Sequence, residues 1–131
     1  MTNSIALEVP LEASYAEAVE RTVQELKKEG FGVLTRVDIH DAFKEKLGID
    51  FRAYTILGAC NPPLAFEAIT ADPRIGALLP CNVVIRALES GVAVDFMDPG
   101  AVLTLVDHPN IGELAAEVRG RINKVKESLE A

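Results

Sequence analysis

Asn82-Val-Val-Ile-Arg-Ala-Leu-Glu-Ser-Gly-Val-Ala-Val-Asp-Phe-Met97 decides the fold. Two short runs rich in β-branched residues flank Glu89-Ser90-Gly91. A glycine-containing connection of that length makes a tight turn, so the runs pair as a hairpin. Asn82–Leu88 and Val92–Met97 are therefore adjacent strands, and at least part of the sheet is antiparallel.

Upstream of the hairpin the chain alternates twice more. Ile5, Leu7 and Val9 read as a half-buried strand that Pro10 ends. Ser14 and Glu17 form a capping box, in which each side chain satisfies a free amide at a helix start. Tyr15, Val19, Val23 and Leu26 then recur at helical spacing up to Glu29, with Gly30 as the stop. Phe31, Val33, Thr35, Val37 and Ile39 predict a second strand. Asp38 to Gly48 predicts a short helix with Phe43 and Leu47 inward, and Phe51 to Ala59 a third strand. Asn61-Pro62-Pro63 is a cap followed by prolines, which open a helix because their missing N–H is not needed there. Leu64, Phe66, Ala68 and Ile69 fill that helix, and Asp72-Pro73 restarts a short helical turn that ends at Pro80.

Downstream, Asp98-Pro99-Gly100 breaks the chain, and Ala101 to Val106 is apolar and ambiguous. From Asn110 on, Ile111, Leu114, Ala115, Val118, Ile122, Val125 and Leu129 carry the strongest periodicity in the chain. They predict a long amphipathic helix exposing Arg119, Arg121, Lys124 and Lys126. The order is strand, helix, four strands, helix, with short inserted helices. That is an α+β design in one domain spanning residues 1–131: a mainly antiparallel five-stranded sheet covered by two main helices.

Composition narrows the function. The chain has 131 residues, 49% of them apolar and 25% charged, which are ordinary globular values. It is too apolar for disorder, and no apolar run reaches the roughly 18 residues of a membrane span. Thirteen basic and 20 acidic residues give a net charge of −7. Nucleic-acid phosphates need a basic face, so nucleic acid is not the expected partner, and neither is a membrane. Met1-Thr-Asn-Ser-Ile5 lacks the features of a secretory signal, and the expected location is the cytoplasm.

Two short motifs draw attention. Cys60-Asn61 and Cys81-Asn82 both stand at element boundaries, where side chains are readily presented to a site. Cys60 precedes a helix start, whose partial positive charge and free amides favour a thiolate. Cys81 follows a proline and opens a strand, so the two thiols can face a common pocket if strands three and four lie near one another. Against this, free cysteine packs like a small hydrophobe. Asn61 has a clear role as a cap, whereas Asn82 has none. Two cysteines without a Cys-x-x-Cys do not have zinc spacing, so no metal and no cofactor are expected.

Other candidates are weaker. His40 and His108, the two histidines, lie in turn-like contexts, although a Cys–His pair would activate a thiol. Asp98 precedes Pro99 and more often starts a turn than acts as a base. Tyr54 offers a hydroxyl to a cavity but suits core packing as well. Arg86 lies opposite Cys81, Val83 and Ile85, where a cross-strand pair with Asp95 is the favoured reading. No G-x-S-x-G, H-E-x-x-H or G-x-G-x-x-G occurs.

Tyr54-Thr-Ile-Leu-Gly-Ala-Cys-Asn-Pro62, Asp72-Pro-Arg-Ile-Gly-Ala-Leu-Leu-Pro-Cys-Asn-Val83 and Met97-Asp-Pro99 closely resemble the bacterial family called domain of unknown function 302. The resemblance covers nearly the whole chain. It implies an arrangement similar to the TATA-box-binding-protein fold, without implying DNA binding. Both Cys-Asn doublets belong to the family pattern, which gives them no role by itself. Three readings stand. One is a homo-oligomeric binding domain, expected as a homodimer, whose pocket at Cys60, Asn61, Cys81 and Asn82 takes a small molecule, a sulfur species or a soft metal. The second is a thiol enzyme or redox protein using Cys60 and Cys81. The third is a partner-binding module whose cysteines only pack.

Overall fold

A computed structural model describes residues 4–131; the first three residues, on which part of the reading of the N-terminus rests, lie outside it. The elements are β1 (Ala6–Leu11), α1 (Tyr15–Lys28), β2 (Gly32–Asp38), α2 (Ile39–Leu47), β3 (Tyr54–Cys60), α3 (Pro62–Ala71), a 3₁₀ helix (Pro73–Leu78), β4 (Cys81–Ala87), β5 (Val92–Met97), α4 (Pro99–Val102), a second 3₁₀ turn (Leu103–Leu105) and α5 (Ile111–Glu130). The five strands form one sheet in the order β1-β5-β4-β3-β2. Every neighbouring pair is antiparallel. The design is the expected α+β one.

The hairpin turns at Gly91, whose φ of 82° lies in the left-handed region. A Cβ there would also stand 2.7 Å from the Leu11 carbonyl oxygen, so only glycine fits. Register follows from the hairpin. Val83 faces Phe96 and Ile85 faces Val94. On the far side, Val94 faces Val9 and Val92 faces Leu11. Thr55 and Leu57 of β3 face Ile85 and Val83. Because directly paired residues share a face, these side chains make one continuous apolar surface. Leu26 from α1 and Val118, Ile122, Val125 and Leu129 from α5 close it into the main core. A smaller cluster of Ala68, Ile75, Leu103, Ile111 and Ala115 joins α3, the 3₁₀ helix and the start of α5.

Several expectations need correction. Pro10 does not end the first strand but pairs with Ala93 inside it. β1 is an edge strand, where a missing N–H can face away from the sheet. The third strand starts at Tyr54, not Phe51, and runs on to Cys60. Leu47 does not point inward: it is 65% exposed, and α2 buries no residue at all. Phe66 and Ile69 of α3 also face out, because that helix packs through Ala68. Arg121 of α5 is only partly exposed, and its guanidinium donates to the Glu29 carbonyl oxygen at 3.2 Å. The ambiguous Ala101–Val106 stretch resolves into α4 and the turn after it.

Candidate functional site

A cavity lies at the end of the sheet where β3 finishes, β4 begins and β5 finishes. Its walls include Cys60, Asn61, Cys81 and Met97, with Leu64 and Ala68 from α3, Leu103, and Leu114 and Val118 from α5. About 40 Å³ of it is open to the centre of a water-sized sphere. One water needs at least about 10–15 Å³ on that measure. The space therefore suits a group of a few heavy atoms.

Local sequence explains how the thiols arrive there. Cys60 is the last residue of β3, and Cys81 the first of β4. Ala59 pairs with Cys81 across the two strands, so Cys60 and Cys81 are offset by one residue. Leu79-Pro80, joined by a cis peptide bond, delivers the chain into β4. At Gly58 an added Cβ would meet Pro80 Cγ at 2.8 Å and the Thr35 hydroxyl closer still. The missing side chain lets Pro80 lie against the sheet and form part of the cavity wall.

The chemistry at the cavity differs from that expected of a helix start. Pro62 and Pro63 have no N–H, and the Leu64 N–H donates to Asn61 Oδ1 at 3.4 Å. The first turn of α3 thus offers Cys60 no free amide. Asn61 is 6% exposed, and its amide nitrogen also donates to the Glu29 carbonyl oxygen at 3.3 Å. It ties the start of α3 to the end of α1. Burial, with the neighbouring Cys60 second, pushes the Cys81 thiol up to about 11. Cys81 is therefore a neutral thiol across the physiological range. Both cysteines are free and partly buried.

Of the four residues in the Cys-Asn doublets, three line this cavity. Asn82 does not: it pairs with Gly58, on the opposite sheet face from Cys81, and is exposed. The other candidates lie elsewhere. Tyr54 stands on the open sheet face in a shallow groove with Phe51, Arg52 and Arg86. Asp98 caps α4, accepting from Gly100 N–H at 2.9 Å and from Arg119 Nε at 2.9 Å. His40 Nδ1 accepts from the Tyr54 N–H at 2.9 Å, which ties α2 to β3. His108 Nδ1 accepts from the Asn110 N–H at 3.2 Å. Neither histidine lines the cavity. Arg86 donates from Nε to Asp95 Oδ2 at 2.6 Å, as the strand reading expected, and also to Glu8. Among the described residues no group of three or more His, Cys, Asp or Glu is placed to hold a metal ion.

Met97 escaped the sequence reading as a site residue. Strand alternation gave no signal for it, since Met97, one step beyond the Val83–Phe96 pair, lies at the same end of the sheet as Cys81 but alternates to the other face.

The family model for domain of unknown function DUF302 matches residues 7–129. The chain belongs to the DUF302 family. It is similar to a crystal structure from Bacillus stearothermophilus described as an uncharacterized conserved DUF302 protein, at 26% identity and a TM-score of 0.89. That similarity covers 97% of this chain and 99% of the other. No curated protein matches the chain. Among the described residues no helix is long and apolar enough to cross a membrane.

Proposed function

We propose that this DUF302 chain is a small-ligand-binding domain, and that its site is the cavity at Cys60, Asn61 and Cys81. The observation that carries this reading is the cavity's lining. Aliphatic side chains surround it, its buried thiol is neutral, and the Asn61 amide is already used. An uncharged group of a few heavy atoms is the ligand that such walls accept without an unpaired polar cost. A thiolate enzyme is less well supported, because Cys81 holds its proton and α3 presents no free amide to Cys60. A reducing compartment such as the cytoplasm suits the two free thiols.

The test is titration of methyl-labelled protein with benzene, followed by NMR. Saturable shifts at Leu64, Leu79, Leu103, Leu114 and Val118 are expected, and Ala65→Leu should abolish them by filling the space. Absence of shifts, or shifts that persist in Ala65→Leu, would overturn the reading.

A second surface favours a further copy of the chain as partner. β2 is an open edge, with Leu34 67% and Val37 46% exposed. Beside it Leu47, Ile49 and Phe51 are exposed as well. Edges and apolar patches of this kind invite pairing. Arg36, Lys44, Lys46 and Arg52 balance Asp38, Asp41, Glu45 and Asp50 in this segment, although the chain as a whole carries −7. Two copies can meet there with little of the repulsion that opposes contact elsewhere. Sedimentation should show a homodimer that Leu34→Lys dissociates. A wild-type monomer at every concentration would sink this part.

A further inference from the structure

The shallow groove at Tyr54 lies at the end of the sheet opposite the cavity. Tyr54 opens β3 and Ala87 closes β4, whereas Cys60 and Cys81 stand at the other ends of the same strands. At about 3.3 Å per residue, the length of β3 puts the two places roughly 20 Å apart. Asp50, Phe51, Arg52 and Tyr54 line the groove from the segment that enters β3, and Arg86 and Ala87 line it from β4. About 450 Å³ of it is open to the centre of a water-sized sphere. Clefts that take small molecules span about 300–1,000 Å³.

The aromatic wall is held in place without being covered. The Phe43 ring meets Phe51 edge-on at 5.1 Å, and Tyr54 stands 6.2 Å from Phe51 at 58°. Both spacings are those of favourable aromatic pairs, so Phe51 is held from two sides. It is nevertheless 51% exposed, and covering that apolar surface is favourable.

The charges name the other half of the ligand. Asp50 accepts from Lys44 Nζ at 2.9 Å. Arg86 is held by Asp95 and Glu8, and it cannot turn to a ligand without leaving Asp95 unpaired. Arg52 is exposed and, among the described residues, makes no ion pair. The groove thus carries one uncompensated positive charge beside an open aromatic wall. The planar fork of a guanidinium matches a carboxylate through two parallel hydrogen bonds. We propose that this groove binds a planar aromatic monocarboxylate, with its ring on Phe51 and Tyr54 and its carboxylate on Arg52. A phosphate dianion would bring a second charge that finds no free cation here. An aliphatic acid lacks the aromatic pairing, and a neutral arene lacks the ion pair.

The experiment titrates 2-naphthoate into the full chain and follows the aromatic ring and methyl signals by NMR. Phe51 also borders the apolar patch beside β2, so the protein is kept dilute enough to be monomeric by sedimentation. One saturable site is expected, shifting the Phe51 and Tyr54 rings and leaving the Leu64, Leu103 and Leu114 methyls in place. 2-Naphthamide, which lacks the charge, should bind about tenfold more weakly. Cyclohexanecarboxylate, which lacks the aromatic ring, should bind about fivefold more weakly. Arg52 is exposed and unpaired, so Arg52→Gln should fold as the wild type does. It should bring 2-naphthoate down to the affinity of 2-naphthamide. Equal affinity for the acid and the amide, or wild-type affinity in Arg52→Gln, overturns the proposal. Equal affinity for cyclohexanecarboxylate overturns it too, as does the absence of a saturable shift at Phe51 and Tyr54. The groove and the cavity share no lining residue, so the benzene titration of the cavity stands or falls separately.

Discussion

Thr55 Oγ1 donates to Asp38 Oδ1 at 2.8 Å, joining β3 to the last residue of the edge strand β2. The Tyr15 hydroxyl bonds to the same Thr55 oxygen, and the His40 ring meets Tyr15 edge-on at 6.4 Å. Arg36 Nε donates to the other side of this knot, reaching Asp38 Oδ1 at 3.1 Å. The start of α1, β2, the start of α2 and β3 are thus pinned at one corner. Thr55 is fully buried, so its hydroxyl cannot exchange these partners for water. Thr55→Val should destabilise the fold by about 1–3 kcal/mol, the cost of leaving buried partners unsatisfied. Urea unfolding measures it, and a loss below a few tenths of a kcal/mol would contradict the account.

The same hydrogen bond sets an acid dependence. The Thr55 hydroxyl, followed by Arg36, holds the Asp38 carboxyl below its ordinary value of 3.8. A lowered carboxyl stabilises the fold fully above the unfolded value and loses that contribution as pH falls through the folded value. Asp38→Asn should therefore cost stability at pH 7. The gap between the variant and the wild type should close as pH falls below 3.8. Unfolding midpoints measured from pH 7 down into acid check it, and a gap independent of pH would refute it.

Arg86 carries the open sheet face in a similar way. It bridges Asp95 on β5 and Glu8 on β1, so three adjacent strands share one guanidinium. The Asp95 side chain is only 17% exposed. Arg86→Met keeps the stem that covers Ala93 but leaves Asp95 half-buried and unpaired. The expected loss is about 1–3 kcal/mol, more than an exposed pair is worth. Asp95→Asn with Arg86→Met should recover part of it. No recovery in the double variant would show that the pair is not the source.

These two clusters show which parts of the sequence were readable. The Arg86–Asp95 pair followed from the hairpin, because Glu89-Ser90-Gly91 sets the register and alternation sets the face. The Asp38–Thr55 bond did not follow, since it depends on β3 pairing with β2 across an intervening helix. Strand ends were misread for a related reason. Pro10 is compatible with a strand only because β1 lies at an edge, and edge position is a property of the whole sheet. Leu47 has helical spacing, yet α2 meets its neighbours through His40 and Phe43, buries none of its residues and leaves Leu47 exposed. At the cavity, Cys60, Asn61 and Cys81 were legible as a group because each stands at an element boundary. Asn82 follows Cys81 by one residue in a strand and so must point to the other face.

Gly58 should be intolerant of any side chain. Its Cα faces Pro80 Cγ and the Thr35 hydroxyl, both closer than a Cβ permits. Gly58→Ala should cost about 1–3 kcal/mol through overpacking. Because Pro80 belongs to the cavity wall, the substitution should also change the shifts of Leu79 and Leu64 methyls. A stable variant with an unchanged methyl spectrum would contradict the close packing.

Cys81 predicts an alkaline weakness. Its thiol moves from an ordinary 9.0 to about 11 in the folded chain, chiefly by burial. A raised thiol contributes nothing adverse below the unfolded value, where both states hold the proton. Between about 9 and 11 the unfolded chain ionises while the folded one does not, so stability falls as pH rises through that window. Cys81→Ala should flatten the decline over the same range while lowering stability at pH 7 through lost packing. Native alkylation gives an independent reading: Cys81 should react far more slowly at pH 8 than in unfolded protein, because so little of it is thiolate. Rapid native alkylation of Cys81, or an alkaline decline unchanged in Cys81→Ala, would show that the thiol is not held neutral by its surroundings.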